Sequence, residues 1–403
     1  MKSAAAVTIC SVNYLGKATV LASSYREHHP DHDFYVVIVD RRRASLAQPP
    51  GVNVIWAEDL GIPEFECMAF EFDVIEMNTN VKPHALRRLL SEYAQIVYLD
   101  PDVFVYAKLG PVAEALAVAA IAVTPHALTP LNDGKKPDDV DFLRFGTFNL
   151  GFIGVSNCPE AFRFLDWWSA RCLEYGFYEP QAGLAVDQKW VNLAPALFSG
   201  VRVLRHPGLN VAFWNLHERQ LSQVDGRWKV NGSAELCFIH FSSFDANVAG
   251  LVANKQTRFA VHSRPDFEAA AASYRVALIA AEASFPTSER YSFDYFDDGT
   301  YITPALRRAY SAVRRERFAG TAPFASGGPV LAFARRHGLL ERGNRPRGRA
   351  SFRDLGRFGH EQWIALRLLK LALRVLGPGR YFALMRYLAH LSSIRNQRAS
   401  FLD

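Results

Sequence analysis

The chain has 403 residues, of which 49% are apolar and 21% charged. That balance excludes bulk disorder and a collagen-like repeat, and the length predicts about two to three domains. No uninterrupted apolar run approaches the roughly 18 residues that a spanning helix needs. Five cysteines (Cys10, Cys67, Cys158, Cys172, Cys237) are scattered without a CxxC, which argues against a disulfide framework or zinc ribbon and for a reducing, cytoplasmic setting.

The net charge of +6 hides an asymmetry. Residues 342–403 carry 13 Lys or Arg and 3 Asp or Glu, whereas Met1–Glu341 carry 33 and 37. The body is mildly acidic and the tail strongly basic. The tail therefore either faces a polyanionic partner (a membrane surface, nucleic acid or an anionic polymer) or is a solvated helix face.

In chain order, MKSAAAVTICSVNYLGK carries a single lysine before its apolar stretch and no clear cleavage site, so it reads as a first strand, not a signal peptide. A helix ending near His28, the strand DFYVVIVD and a third strand, VNVIWAED, follow. Residues 82–95 read as a helix with Pro83 in its first turn. IVYLDPDVFVY is a buried strand running into an acidic turn. Strands alternating with helices predict a parallel α/β sheet, whose ligands bind at the carboxyl ends of strands, where Asp40 and Asp100 sit.

Residues 128–147 are polar and read as a loop before the strand FNLGFIGVS. Residues 159–175 form a helix whose Trp167 and Trp168 belong to the core, and DQKWVNLAPALF reads as another. The expected divisions are 1–265 for the first domain, 266–341 for a helical extension with a hinge at 320–330, and 342–403 for the tail. Within the tail, 342–350 is expected to be mobile and 360–397 to form two basic amphipathic helices broken at Gly377-Pro378-Gly379. Arg367, Lys370 and Arg374, at spacings of three and four beside a broad apolar stripe, fit a helix lying in a membrane interface. Docking of that stripe on the body or on another chain fits equally.

The sharpest feature is Asp100-Pro101-Asp102. Two carboxylates one residue apart at a strand end can share a hard cation such as Mg²⁺ or Mn²⁺, which in turn favours phosphate oxygens. An exposed turn without metal is the alternative. Three later segments weigh for a site. Asn149 and Gly151 lie in a strand where backbone can approach a ligand. Asp187 and Gln188 open a helix near its positive end, with a simple N-cap as the alternative. His240 sits in the apolar strand FIHFSSF, either as a core histidine or as a third metal ligand. The segment HPGLNVAFWNLHER, with Trp214, Asn215 and His217, offers aromatic and amide groups suited to sugar substrates, or serves packing.

TICSVNYL, the Asp-x-Asp of YLDPDVFVY, the Asn-x-Gly of FNLGFIGV, the Asp-Gln of DQKWVN and the late histidine of IHFSSF, in that order, resemble the GT-A type nucleotide-sugar glycosyltransferases. The order is nearest to that of the retaining, glycogenin-like family-eight enzymes, and YFDDGTYITPALRRAY is similar to variants from bacterial glycan clusters. The resemblance covers 6–260, loosely 285–312, and not the basic tail. It implies a Rossmann-like GT-A mixed sheet flanked by helices, with a mainly helical basic C-terminal extension. Asp100, Asp102 and His240 would hold Mn²⁺ or Mg²⁺ against the diphosphate of a nucleotide-sugar donor, with a UDP-sugar favoured. Ser11, Val12, Asn13 and Tyr14 would line the nucleoside, and Lys82 and Lys255 would meet phosphate. Asn149, Asp187 and Gln188 would face the transferring sugar. The acceptor would be a glycan or lipid-linked, the location cytoplasmic or peripheral at the inner face of the membrane, and no nucleic acid is expected. The family's Lys-Pro-Trp after the histidine is absent here, where SSFDANVAGLVANK ends in Lys255 without Pro-Trp. A haloacid-dehalogenase-like phosphohydrolase also uses Asp-x-Asp after an apolar strand, but its following threonine is replaced here by Phe104. A silent sugar-nucleotide or glycan-binding protein is the third reading.

Overall fold

The structure is a computed structural model and describes residues 2–43, 46–285, 287–341 and 359–402. The segment 342–350 lies outside them. Two compact units are present: Met1–Phe65 with Val74–Ser292, and Glu66–Asp73 with Phe293–Asp403.

The first unit is built on a seven-stranded sheet. Its strands are β1 (Lys2–Cys10), β2 (Asp33–Ile38), β3 (Asn53–Trp56), β4 (Tyr93–Leu99), β6 (Ile121–Pro125), β7 (Phe148–Ser156) and β10 (Val201–Val203), in the order β10-β6-β7-β4-β1-β2-β3. Between β4 and β6 the short β5 (Val103–Val105) leaves the sheet and pairs with β14 (Phe238–His240). A small hairpin joins β8 (Tyr178–Glu179) to β9 (Leu184–Ala185), and β11 (Leu221–Val224), β12 (Arg227–Val230) and β13 (Ala234–Glu235) form a three-stranded meander. Apolar residues such as Val7, Ile9, Val36, Ile96 and Ile153 are fully or almost fully buried along the central strands, as expected of a sheet covered on both faces.

The α/β architecture is the expected one, and the sheet is mixed, as the resemblance implied, where strand–helix alternation alone predicted a parallel one. β7 runs antiparallel to both neighbours, β4 and β6. A strand of nine residues with eight buried carries no alternation, so its sequence does not reveal its direction. The reversal has a consequence for function: β7 enters the sheet at the edge where the parallel strands leave it. Ser11 after β1, Asp40 after β2, Asp100 after β4 and His126 after β6 thereby share one edge with Asn149 at the start of β7.

Three local expectations change. The segment read as a loop over 128–147 contains the helix Asp139–Phe145, which is closed by a capping box between Asp138 and Asp141. The helix expected over 82–95 ends at Leu90, and Tyr93 already begins β4. DQKWVNLAPALF divides into two short helices, Gln188–Val191 and Ala194–Leu197, because Pro195 starts the second one afresh.

In the second unit Arg307 is buried and donates to the carbonyls of Ala69, Phe70 and Phe72, closing the end of the helix Phe65–Glu71. The basic helix Gly359–Leu391 is interrupted at Gly377, whose φ of 72° is followed by Pro378.

Candidate metal and donor site

Asp100 and Asp102 follow β4 in a turn closed by the Val103 amide on the Asp100 carbonyl, 3.0 Å. The β5–β14 ladder sets His240 opposite Val103, which carries the imidazole to the two carboxylates. His240 Nε2 lies 3.0 Å from Asp102 Oδ1 and 3.5 Å from Asp100 Oδ2. Among the described residues these three form the one cluster of His, Cys, Asp and Glu with ligand geometry, all ligand atoms within 4.8 Å of one another. Two oxygens and one neutral imidazole nitrogen suit Mn²⁺ or Mg²⁺ as a donor set.

The tautomer of His240 follows from its neighbours. Asn149 Oδ1 accepts from the Gly151 amide at 3.1 Å and from Asn210 Nδ2 at 3.0 Å, which fixes it as the oxygen. His240 Nδ1, 3.1 Å from the same oxygen, must then carry a proton and donate. Nε2 is left to face the carboxylates, with its lone pair available once its own proton leaves. Such outer partners of a metal-binding histidine set both ring orientation and basicity. Behind Asn149, His126 Nε2 lies 3.4 Å from the amide nitrogen and accepts from it, while His126 Nδ1 donates to the Thr147 carbonyl at 3.2 Å. Burial holds the His126 pKa down to about 4, so it is neutral in this role. Trp214 stands edge-on to both imidazoles, 5.2 Å from His240 and 5.3 Å from His126.

The charges balance in a defined way. Burial opposes ionisation of Asp102, but the adjoining His240 outweighs it and the carboxyl titrates at about 2. Lys17 adds a further favourable charge. Burial likewise opposes the His240 imidazolium, yet Asp102 and then Asp100 raise its pKa. Tyr98 donates to Asp100 Oδ1 at 2.6 Å and keeps its proton, because burial and the neighbouring carboxylate push its pKa well up.

Lys82 and Asp187 form a second group. Both side chains are 2% exposed, and Lys82 Nζ lies 2.7 Å from Asp187 Oδ2. The same ammonium donates to the Leu150 carbonyl at 2.8 Å and stands 4.2 Å from the Tyr98 ring centroid. Burial raises the Asp187 pKa, and Lys82 works against that rise. Tyr98 therefore touches both groups, the Lys82 ammonium on its ring and Asp100 at its hydroxyl. Val186, just before Asp187, adopts a φ of +47°, an uncommon conformation for a β-branched residue of the kind found at functional sites. Gln188 accepts from the Leu150 amide at 2.9 Å and donates to the Phe145 carbonyl at 3.0 Å.

Other expected site residues fall as follows. The Ser11 hydroxyl donates to Asn13 at 2.6 Å, and the Val12 amide donates to the buried Asp40 at 2.9 Å. Tyr14 is exposed, with Lys17 4.4 Å from its ring centroid. A notch lined by Val12, Leu15, Arg43, Leu46 and Phe285 opens beside this segment. Asn215 is fully buried: it accepts from the Ala212 amide and donates to the carbonyls of His126 and Asn210. His217 is half-buried, 3.3 Å from Thr129 Oγ1. Lys255 lies exposed in a turn after β14. Tyr98 and His126 carry no motif, although His126 follows a strand end just as Asp100 does.

No family model matches the chain. An uncharacterized Bacillus subtilis (strain 168) protein, YfnD, is 28% identical over 245 residues, which span 59% of this chain and 76% of YfnD. YfnF of the same organism, also uncharacterized, is 25% identical over 243 residues, 59% of this chain and 80% of YfnF. Among solved structures, the chain is similar to a galactosyltransferase, LgtC, in complex with donor and acceptor sugar analogs, at TM-score 0.42 and 15% identity over 71% of this chain and 97% of that one. The bifunctional glycosyltransferase WbbM matches at 0.39 and 14% identity over 71% and 50%, and mouse xyloside xylosyltransferase 1 at 0.35 and 14% over 59% and 97%. These scores are low, so function is read from the site itself.

Proposed function

We propose that the protein is a metal-dependent glycosyltransferase that moves a sugar from a nucleotide-sugar, a UDP-sugar by preference, to a glycan or lipid-linked acceptor in surface polysaccharide synthesis. The observation that carries this reading is the Asp100–Asp102–His240 cluster, with Asn149 holding the histidine so that Nε2 faces the acids. A reaction that expels a diphosphate builds negative charge on the departing oxygen. Mn²⁺ or Mg²⁺, when bound, supplies positive charge where that charge appears.

The protein's own residues would do the rest. Asp100, Asp102 and His240 hold the cation. The Ser11–Tyr14 segment and its notch receive the nucleoside. Asp187 and Gln188 would stand by the transferring sugar, with Lys82 opposing the rise that burial gives the Asp187 pKa. Lys255 would meet phosphate, and Trp214, Asn215 and His217 would border the acceptor, Asn215 through the backbone it holds. We assign catalysis to 1–265 with retention of configuration, and a cytoplasmic location at the inner face of the membrane. The phosphohydrolase alternative needs an acid–threonine pattern that Phe104 interrupts.

The test is a panel of UDP- and GDP-sugars incubated with the protein and Mn²⁺. Slow release of nucleoside diphosphate that stops on chelation supports the transferase. Release of inorganic phosphate from phosphomonoesters supports the hydrolase, and binding without turnover supports a sugar-nucleotide-binding protein.

A further inference from the structure

We infer that the basic helical tail is an interfacial anchor for an anionic phospholipid surface. This rests on the tail's own geometry and is independent of the activity proposed above.

The helix Gly359–Leu391 leaves its large apolar residues in solvent along its length: Leu368 is 62% exposed, Val375 74% and Phe382 65%. A run of exposed leucines of this kind marks a surface that meets something else. From Trp363 to Leu402 the chain carries seven Lys or Arg and no Asp or Glu. On a wheel of 3.6 residues per turn, Arg367, Lys370 and Arg374 fall within a sector of about 60°, and aliphatic residues occupy most of the remainder. Arg367 lies 3.6 Å from the Trp363 ring centroid, which extends the same sector.

The charge pattern chooses the occupant. A second copy packed on the leucine face would leave the cationic stripe without an answering acid, since Trp363–Leu402 holds none. A coiled-coil seam would be a narrow apolar line, and here the apolar arc is several times wider than the polar one. A spanning helix is excluded among the described residues, since none is long and apolar enough to cross a membrane. The break at Gly377 adds to this, because the two halves are about 27 Å and about 21 Å long against a hydrocarbon core of about 30 Å. A helix lying in the headgroup region satisfies every term. Its leucines enter the acyl boundary, and its Lys and Arg stems reach up to phosphate.

The full chain is mixed with vesicles of phosphatidylcholine alone and of phosphatidylcholine with phosphatidylglycerol, and bound protein is separated by flotation. Binding to the anionic vesicles, weakened by high salt and faint on the neutral ones, is expected. Arg367→Gln/Lys370→Gln/Arg374→Gln should lower the partition by on the order of a hundredfold, from roughly fivefold per charge. Leu368→Gln/Leu371→Gln/Val375→Gln should abolish it while leaving the thermal melt of the full chain unchanged. The inference is overturned by wild-type protein that stays unbound, by equal and salt-insensitive binding to both vesicles, or by charge variants that bind like wild type. A dimer in light scattering that the leucine variants dissociate, with no vesicle binding, would assign the face to self-association instead.

Discussion

Gly151 stands directly against the His240 imidazole: a β-carbon at that position would lie 2.2 Å from Cε1 and 2.4 Å from Nδ1. The strand residue that the sequence marked as a place for close backbone approach makes room for a side chain of the site. Asn149 and Gly151, two residues apart on one face of β7, thus act together, the amide orienting the ring and the glycine admitting it. Gly151→Ala is expected to displace His240, cost about 1–3 kcal/mol as overpacking does, and lower Mn²⁺ affinity. Calorimetric titration with Mn²⁺ beside a urea melt reads both; unchanged affinity would separate His240 from the metal.

Asp102→Asn removes the carboxylate nearest to His240 Nε2. Mn²⁺-dependent release of nucleoside diphosphate should vanish while the near-UV spectrum and melting temperature stay close to wild type. Retained turnover in the variant would remove the metal argument altogether.

The neighbouring histidine gives a stability signature of opposite character. His126 is neutral in the folded protein, with its pKa lowered from 6.5 to about 4 by burial. The folded state therefore binds fewer protons than the unfolded chain between these values, and stability falls as pH falls from 6.5 towards 4. The group accounts for roughly 3 kcal/mol over that window, at about 1.4 kcal/mol per unit. In His126→Gln, whose side-chain oxygen can still accept from Asn149, the pH dependence should be shallower by about that amount. Urea melts at several pH values measure it, and parallel wild-type and variant curves would refute the assignment.

Much of the architecture can be read from residue order, and the exceptions have physical causes. β1, β2 and β4 show as apolar runs between turn residues, and the acidic turn shows because two carboxylates one residue apart follow the apolar run of β4. The direction of β7 is invisible, since a strand buried on both faces gives no alternation. The helix Asp139–Phe145 hides in a polar segment because a capping box and seven residues create little apolar periodicity. Tyr98 and His126 join the site only through the sheet: Tyr98 lies two residues before Asp100 on β4, and His126 one residue beyond β6. Neither carries a local pattern, and both become legible once the strand order β6-β7-β4 is known.

Lys82 and Asp187 are separated by more than a hundred residues, and the pair is sealed from solvent. A buried pair of this kind contributes little net stability when intact, since desolvation of both ions offsets their attraction, but removing one partner strands the other. Lys82→Met is therefore expected to destabilise the protein by about 3–5 kcal/mol. Because burial already raises the Asp187 pKa, loss of the ammonium should drive that carboxyl to take up a proton near neutrality. The unfolded chain holds an ordinary carboxylate, so the Lys82→Met protein should lose stability as pH rises from 4 to 8 more steeply than the wild type, in which Lys82 opposes the rise of the Asp187 pKa. Lys82→Met/Asp187→Asn removes the charge along with its partner, and should recover most of the loss and abolish the slope. Urea melts of the four proteins across that pH range give the coupling energy directly. A double variant as unstable as Lys82→Met alone would place the damage in the contact of Lys82 with the Leu150 carbonyl and the Tyr98 ring, not in the stranded acid.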